Sequence, residues 1–110
     1  MAKIFKLKPE QFTQLIAPMG ACLATDKITV DGELVDYMYR EEPSNEVDSG
    51  WRFFSETDDQ EYVDDPNNIM IYDVNTIANY DPAIIPYLHL PLGVELERVR
   101  GTDDFNIIVQ

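Results

Sequence analysis

Four carboxylates, Glu41, Glu42, Glu46 and Asp48, crowd the Pro/Ser/Asn/Gly stretch "YREEPSNEVDSGWRFFS", which runs straight into Trp51, Arg52, Phe53 and Phe54. Acids at this density have three chemical uses: ligation of a hard divalent cation, acid/base work by a paired carboxylate, or docking onto a basic surface. For the first, "DDQEYVDDPNN" offers oxygen ligands. It lacks the glycine and terminal glutamate that a calcium-binding helix–loop–helix needs at fixed spacing after Asp58. One cysteine, Cys22, and one histidine, His89, cannot build a tetrahedral zinc site unless carboxylates supply the rest. For the second, Cys22 sits in an apolar run and His89 between two leucines, so no nucleophile and base are assembled. There is no glycine-rich phosphate cradle. The residues therefore point to no metal, no cofactor and no enzyme, and they leave docking or a solvated acidic turn that leads into a buried strand.

Charge sets what kind of partner would dock. Twenty-one acids against eight bases give a net −13. The distribution is uneven: residues 41–81 hold twelve acids and one base, Arg52, whereas residues 1–40 balance. Such a surface repels nucleic acid and anionic membranes and speeds encounter with basic proteins. The lone cysteine cannot close an internal disulfide, no apolar run reaches membrane-spanning length, and "MAKIFKLKPEQF" lacks a signal-peptide pattern. The expectation is a cytoplasmic protein.

The elements that must position these acids read as follows. With 45% hydrophobic residues in 110, the chain suits one domain, 1–110, with its own core. After an extended "KIFKL", Pro9 and the spacing of Phe12, Leu15 and Ile16 predict an N-terminal helix stopped by Pro18 and Gly20. Asp31-Gly32 predicts a two-residue hairpin turn that sets Ile28 opposite Val35 and Lys27 opposite Asp36. "GWRFFS" is a third strand, with Trp51 and Phe53 on one face and Arg52 and Phe54 on the other. Burial is expected for Trp51. "IMIYDV" is a fourth. Asp73 caps a short helix through "NTIANY", and Asp81-Pro82 starts another that Pro86 keeps short. "VELERVR" and "FNIIV" form a closing hairpin. The fold class is α+β, a mainly antiparallel sheet with an N-terminal helix and short central helices.

"GACLATDKI", "YMYREEPSNEVDSGWRFFS" and "YDVNTIANYDPAIIPYL", in that order, resemble the signature blocks of a bacterial domain-of-unknown-function family, DUF2185, classed among the predicted immunity proteins of polymorphic toxin systems. The likeness covers roughly residues 20–98 and departs from the family pattern at His89 and Leu90. The resemblance implies an α+β fold and a non-enzymatic role, binding a cognate toxin inside the producing cell. With the acidic surface it points to a basic toxin, such as a nuclease, neutralised by carboxylates standing where phosphates would lie. The expected partner-binding residues are Glu41, Glu42, Glu46, Asp48, Trp51, Arg52, Asn75, Asn79, Tyr80 and Asp81, together with the acidic run from Glu56 to Asp65. A second reading is a small-molecule or divalent-cation binding module built on Asn75, Asn79, Asp81 and the acidic loop. Homo-oligomerisation stays open, as does the pairing of Arg52 with Glu41 or Glu42.

Overall fold

The computed structural model describes residues 3–108. Six strands, β1 (Ala21–Thr25), β2 (Val35–Arg40), β3 (Asp48–Ser55), β4 (Ile69–Asp73), β5 (Glu95–Arg98) and β6 (Phe105–Ile107), form one sheet in the order β4-β1-β3-β2-β5-β6. Every neighbouring pair is antiparallel except β1 and β3, which run parallel. The α+β class and the closing hairpin β5–β6 are as expected; Val109, placed in the same hairpin, lies outside the described residues.

Register explains the core. Opposed residues share a face, so Met70, Ala24, Phe53, Met38, Leu96 and Ile107 make one row across all six strands, buried from Ala24 to Leu96 and exposed at Met70 and Ile107 on the edge strands. On that face the helix α1 (Asp26–Thr29), the helix α3 (Val74–Tyr80) and the 3-10 helix Pro82–Tyr87 with the Leu88 that follows it contribute Ile28, Val74, Ile77, Ala78, Ile84 and Leu88. Trp51 is fully buried there, and its indole Nε1 donates to the Leu88 carbonyl at 3.1 Å. The Asp73 carboxylate caps α3 through the Asn75 amide at 2.9 Å, as read from sequence. Asp81 caps the 3-10 helix through the Ala83 amide at 3.1 Å, also as read from sequence. A short helix α2 (Gln60–Asp64), capped by Asp59, stands in the acidic run from Glu56 to Asp65.

Two expectations are corrected. Asp31-Gly32 does not close a hairpin: β1 and β2 do not pair, and Ile28 and Lys27 face neither Val35 nor Asp36 across a ladder. Residues 26–29 are helical instead. The amides of Asp31, Gly32 and Glu33 fold back onto the carbonyls of Asp26, Ile28 and Lys27, and Gly32 ends the turn at φ +78°. A glycine with positive φ serves a helix stop as well as a hairpin, and here β1 pairs with β3 and β4 rather than with β2, so the turn ends α1. The N-terminal helix reduces to the 3-10 turn Pro9–Gln11, after which the chain extends from Phe12. The reason is tertiary: side chains of α3 hydrogen-bond the backbone of residues 13–16 and hold it out of the helical conformation.

Candidate partner-binding surface

The acidic loop between β2 and β3 is built around Arg52, whose side chain is 5% exposed. Its guanidinium forks onto Asp48, Nη1 to Oδ1 at 2.9 Å and Nη2 to Oδ2 at 2.8 Å. Its Nε donates to Glu41 Oε2 at 2.6 Å. Asp48 also accepts from the Ser44 amide and hydroxyl and from the Gly50 amide. The Arg52 guanidinium, aided by those two amides, holds the Asp48 carboxyl well below the usual carboxylate range despite its burial. Asp48 and Glu41 in turn push Arg52 further up. Gly50, at φ +91°, lets the Glu41 carbonyl pack against the strand where a Cβ would collide with it. The loop is therefore held in one shape, with Glu42 and Glu46 exposed at its tip and Glu41 half-exposed at its root. Arg52 pairs with Glu41, not Glu42.

The remaining candidates are occupied within the chain. Trp51 and Asp81 are buried. The Asp81 carboxylate pairs with Arg98 and accepts from the Val35 amide at 2.9 Å. Asn75 Oδ1 accepts from the Leu15 and Ile16 amides, and the Asn75 and Asn79 amide groups both donate to the Thr13 carbonyl at 2.9 Å. Asn79 Oδ1 accepts from the Thr13 amide, and the Tyr80 hydroxyl accepts from the Leu7 amide. These side chains clamp an extended segment of the chain's own backbone. Among the described residues, no hydrogen bond or ion pair joins them to the loop acids. Replacing Asn75 and Asn79 together by Ala is expected to speed amide exchange at Thr13, Leu15 and Ile16 by roughly tenfold or more, since each lost bond is worth about 1 kcal/mol. Hydrogen-exchange mass spectrometry checks this; unchanged protection would mean that the apolar contacts of Phe12 and Ile16 hold the segment alone.

A second surface was only half visible in the sequence. On the sheet face opposite the helices, one row reads Ile71, Leu23, Arg52, Tyr39, Glu95 across five strands. Beside it, Tyr37, Tyr39 and Phe54 lie with ring centroids 5.8–5.9 Å apart, and the Tyr37 hydroxyl donates to Glu95 at 2.6 Å. Alternation in "YMYR" and "WRFFS" carries the signal, since it sets Tyr37, Tyr39 and Phe54 on the face opposite Met38 and Phe53; a register irregularity between Val35 and Tyr37 breaks the period before it and leaves Val35 in the core. Their meeting depends on the β2–β3 register, which the sequence does not state.

Other chemistry finds no assembly. Burial pushes the Cys22 thiol up, away from reactivity. His89 is exposed. Among the described residues no three His, Cys, Asp or Glu side chains are grouped to hold a metal ion, and no helix is long and apolar enough to cross a membrane.

No curated protein and no solved structure matches the chain. The Immunity protein Imm33 domain does, over residues 22–109, which takes in the sheet from the second residue of β1 onward, the acidic loop and α3 but not the clamped N-terminal segment. That span is most of the chain, and it agrees with the class implied by the sequence blocks: the chain belongs to the Imm33 immunity protein family.

Proposed function

We propose that the chain is a non-enzymatic immunity protein that binds and neutralises a cognate basic toxin through the acidic surface of residues 41–65. Membership of the Imm33 family carries the reading, and the disposition of charge supports the mechanism. The single base of the acidic segment, Arg52, is buried against Glu41 and Asp48. Glu42, Glu46, Glu56, Asp59, Glu61, Asp64 and Asp65 are all exposed. Apart from Arg100, 3.6 Å from Glu56, no cation of the described chain pairs with them. A field of this kind attracts a basic cleft of the sort that holds phosphates, and it raises the association rate most at low salt.

Glu42 and Glu46 are the acids to reverse, because Asp48 and Glu41 hold the loop together. Once affinity capture from host extract has yielded the toxin, Glu42→Lys with Glu46→Lys is expected to lower kon by about tenfold in low salt, with koff nearly unchanged. The difference should fade near 1 M salt, where screening acts over about 3 Å. Unchanged kon with a folded variant would remove the electrostatic mechanism. No separate observation favours the small-molecule or cation module, since the amides of Asn75 and Asn79 already serve the N-terminal segment.

A further inference from the structure

The aromatic triad of the open sheet face is the floor of a concavity of about 460 Å³, walled by Asp36, Glu56 and Asp59 and by Val63 of α2. Rings present their negative faces to cations, and carboxylates at the edge add hydrogen-bond acceptors. Tyr37, Tyr39 and Phe54 are each partly exposed, so the floor is reachable.

The chain's own cations leave these walls largely unneutralised. Arg98 is engaged with Asp81, the Val35 carbonyl and the Thr102 carbonyl. Lys27 lies over the Tyr62 ring, 5.0 Å from its centroid. Arg100 grazes Glu56 at 3.6 Å with both side chains largely in solvent, a pairing that water and salt weaken. One acceptor is wholly unmet. Asp58, which also lines the concavity, uses Oδ2 to accept from the Thr25 hydroxyl and the Ser55 amide, both at 2.7 Å. Its Oδ1 is buried and has no partner. Burial, then the neighbouring Glu56 charge, pushes the Asp36 carboxyl up, and the opposing pull of Arg98 and Arg100 does not cancel it. Negative charge is thus held here with less compensation than its surroundings favour.

We infer that this concavity, Tyr37, Tyr39 and Phe54 beneath Asp36, Glu56 and Asp59, is a subsite for an arginine side chain of the partner protein. The partner's identity as a toxin rests on the immunity reading above; the chemistry of the subsite does not. A flat guanidinium stacks on a ring while its edge donates to carboxylates, which a lysine ammonium cannot do in the same way. Tyrosine and arginine are the residue types that dominate interface energetics, and the carboxylates of Glu56 and Asp59 beside the rings would steer the guanidinium in.

The test needs no toxin. The isotope-labelled protein is titrated with acetyl-Gly-Arg-Gly-amide and, separately, with the same peptide carrying citrulline, which keeps the shape and loses the charge. Expected are saturable chemical-shift changes at Tyr37, Tyr39, Phe54, Gln60 and Val63 with arginine, and binding weaker by about tenfold with citrulline. Tyr39→Leu, which keeps apolar bulk and removes the ring, should weaken arginine binding about fivefold. Glu56→Gln with Asp59→Asn should act in the same direction, and Asn still caps α2. Equal shifts with both peptides, or shifts spread along residues 41–65 without saturation, would overturn the subsite and show diffuse charge attraction. The two readings fail separately. A peptide that finds no pocket removes the subsite while toxin capture through Glu42 and Glu46 still stands. A pocket that takes arginine in a protein that neutralises no toxin keeps the subsite and removes the immunity mechanism.

Discussion

Asp48→Ala is expected to destabilise the protein by about 3 kcal/mol, the range measured when one partner of a buried ion pair is removed. Both side chains of the pair are more than nine-tenths buried, and Asp48 gathers two guanidinium nitrogens, two backbone amides and a hydroxyl. Its loss leaves Arg52 with Glu41, 49% exposed, as its one carboxylate beside the Trp51 carbonyl, and frees the Ser44 and Gly50 amides that shape the loop. Truncating Arg52 to Met in the same molecule should recover a good part of the loss, because an apolar pair does not need the desolvated charge to be balanced. The single tryptophan, Trp51, is buried beside the pair and supplies the fluorescence signal for urea titration. A loss under about 1 kcal/mol would mean that Arg52 swings to water and that the pair does not frame the loop.

The same contact fixes the sign of a pH effect. The folded Asp48 carboxyl is held well below the usual range, first by Arg52, while an unfolded aspartate titrates at about 3.9. Protons therefore bind the unfolded state more readily as pH falls. The stabilisation from Asp48 is complete above its unfolded value and is lost as pH drops through the folded one. The stability gap between the protein and Asp48→Asn should be widest above about pH 5 and close progressively below about pH 4. A gap that stays constant with pH would separate Asp48 from the acid limb of the stability curve.

What the sequence shows and what it conceals divide along the range of the interaction. Asp73 before "VNTIANY" and Asp81-Pro82 before "AIIPY" are local devices, in which side chain and amide lie two residues apart, and both stand as read. Alternation in "GWRFF" likewise separates Trp51 from Arg52 without any knowledge of neighbours. Asp31-Gly32 is equally local but ambiguous, because the backbone angle that suits a hairpin also ends α1. The choice is made by β1 pairing in parallel with β3, a contact across a crossover that no turn dipeptide encodes. Phe12, Leu15 and Ile16 carry helical spacing, yet Asn75 and Asn79, some sixty residues on, impose an extended backbone. The site follows the same division. The acidity of residues 41–65 is plain in composition, whereas the joint holding of Arg52 by Glu41 and Asp48, and the meeting of Tyr37, Tyr39 and Phe54, need the β2–β3 register.

Asp81→Ala is the second large effect, expected to cost roughly 4 kcal/mol and to lower Tm by roughly 20 °C. Asp81 is 2% exposed and ties three elements that are distant in sequence. It caps the 3-10 helix at Ala83, accepts from the Val35 amide at the head of β2, and neutralises Arg98 of β5. The cap alone is worth about 1 kcal/mol. The larger share is the Arg98 guanidinium, whose side chain is 7% exposed and whose other acidic contact, Asp103, is 88% exposed. Asp81→Asn should recover little beyond the cap: with Oδ1 still facing Ala83, the new amide group would point its hydrogens at the Val35 amide and at Arg98, donors against donors. Urea titration of the two variants, followed at Trp51, decides the matter. Near-equal losses place the stability in the charge and its acceptors; a fully stable Asn variant would place it in the cap. The comparison also governs how partner assays are read. Capture lost in Asp81→Ala at a temperature where the variant is unfolded reports on the fold, whereas capture lost in a folded Glu42→Lys protein reports on the surface.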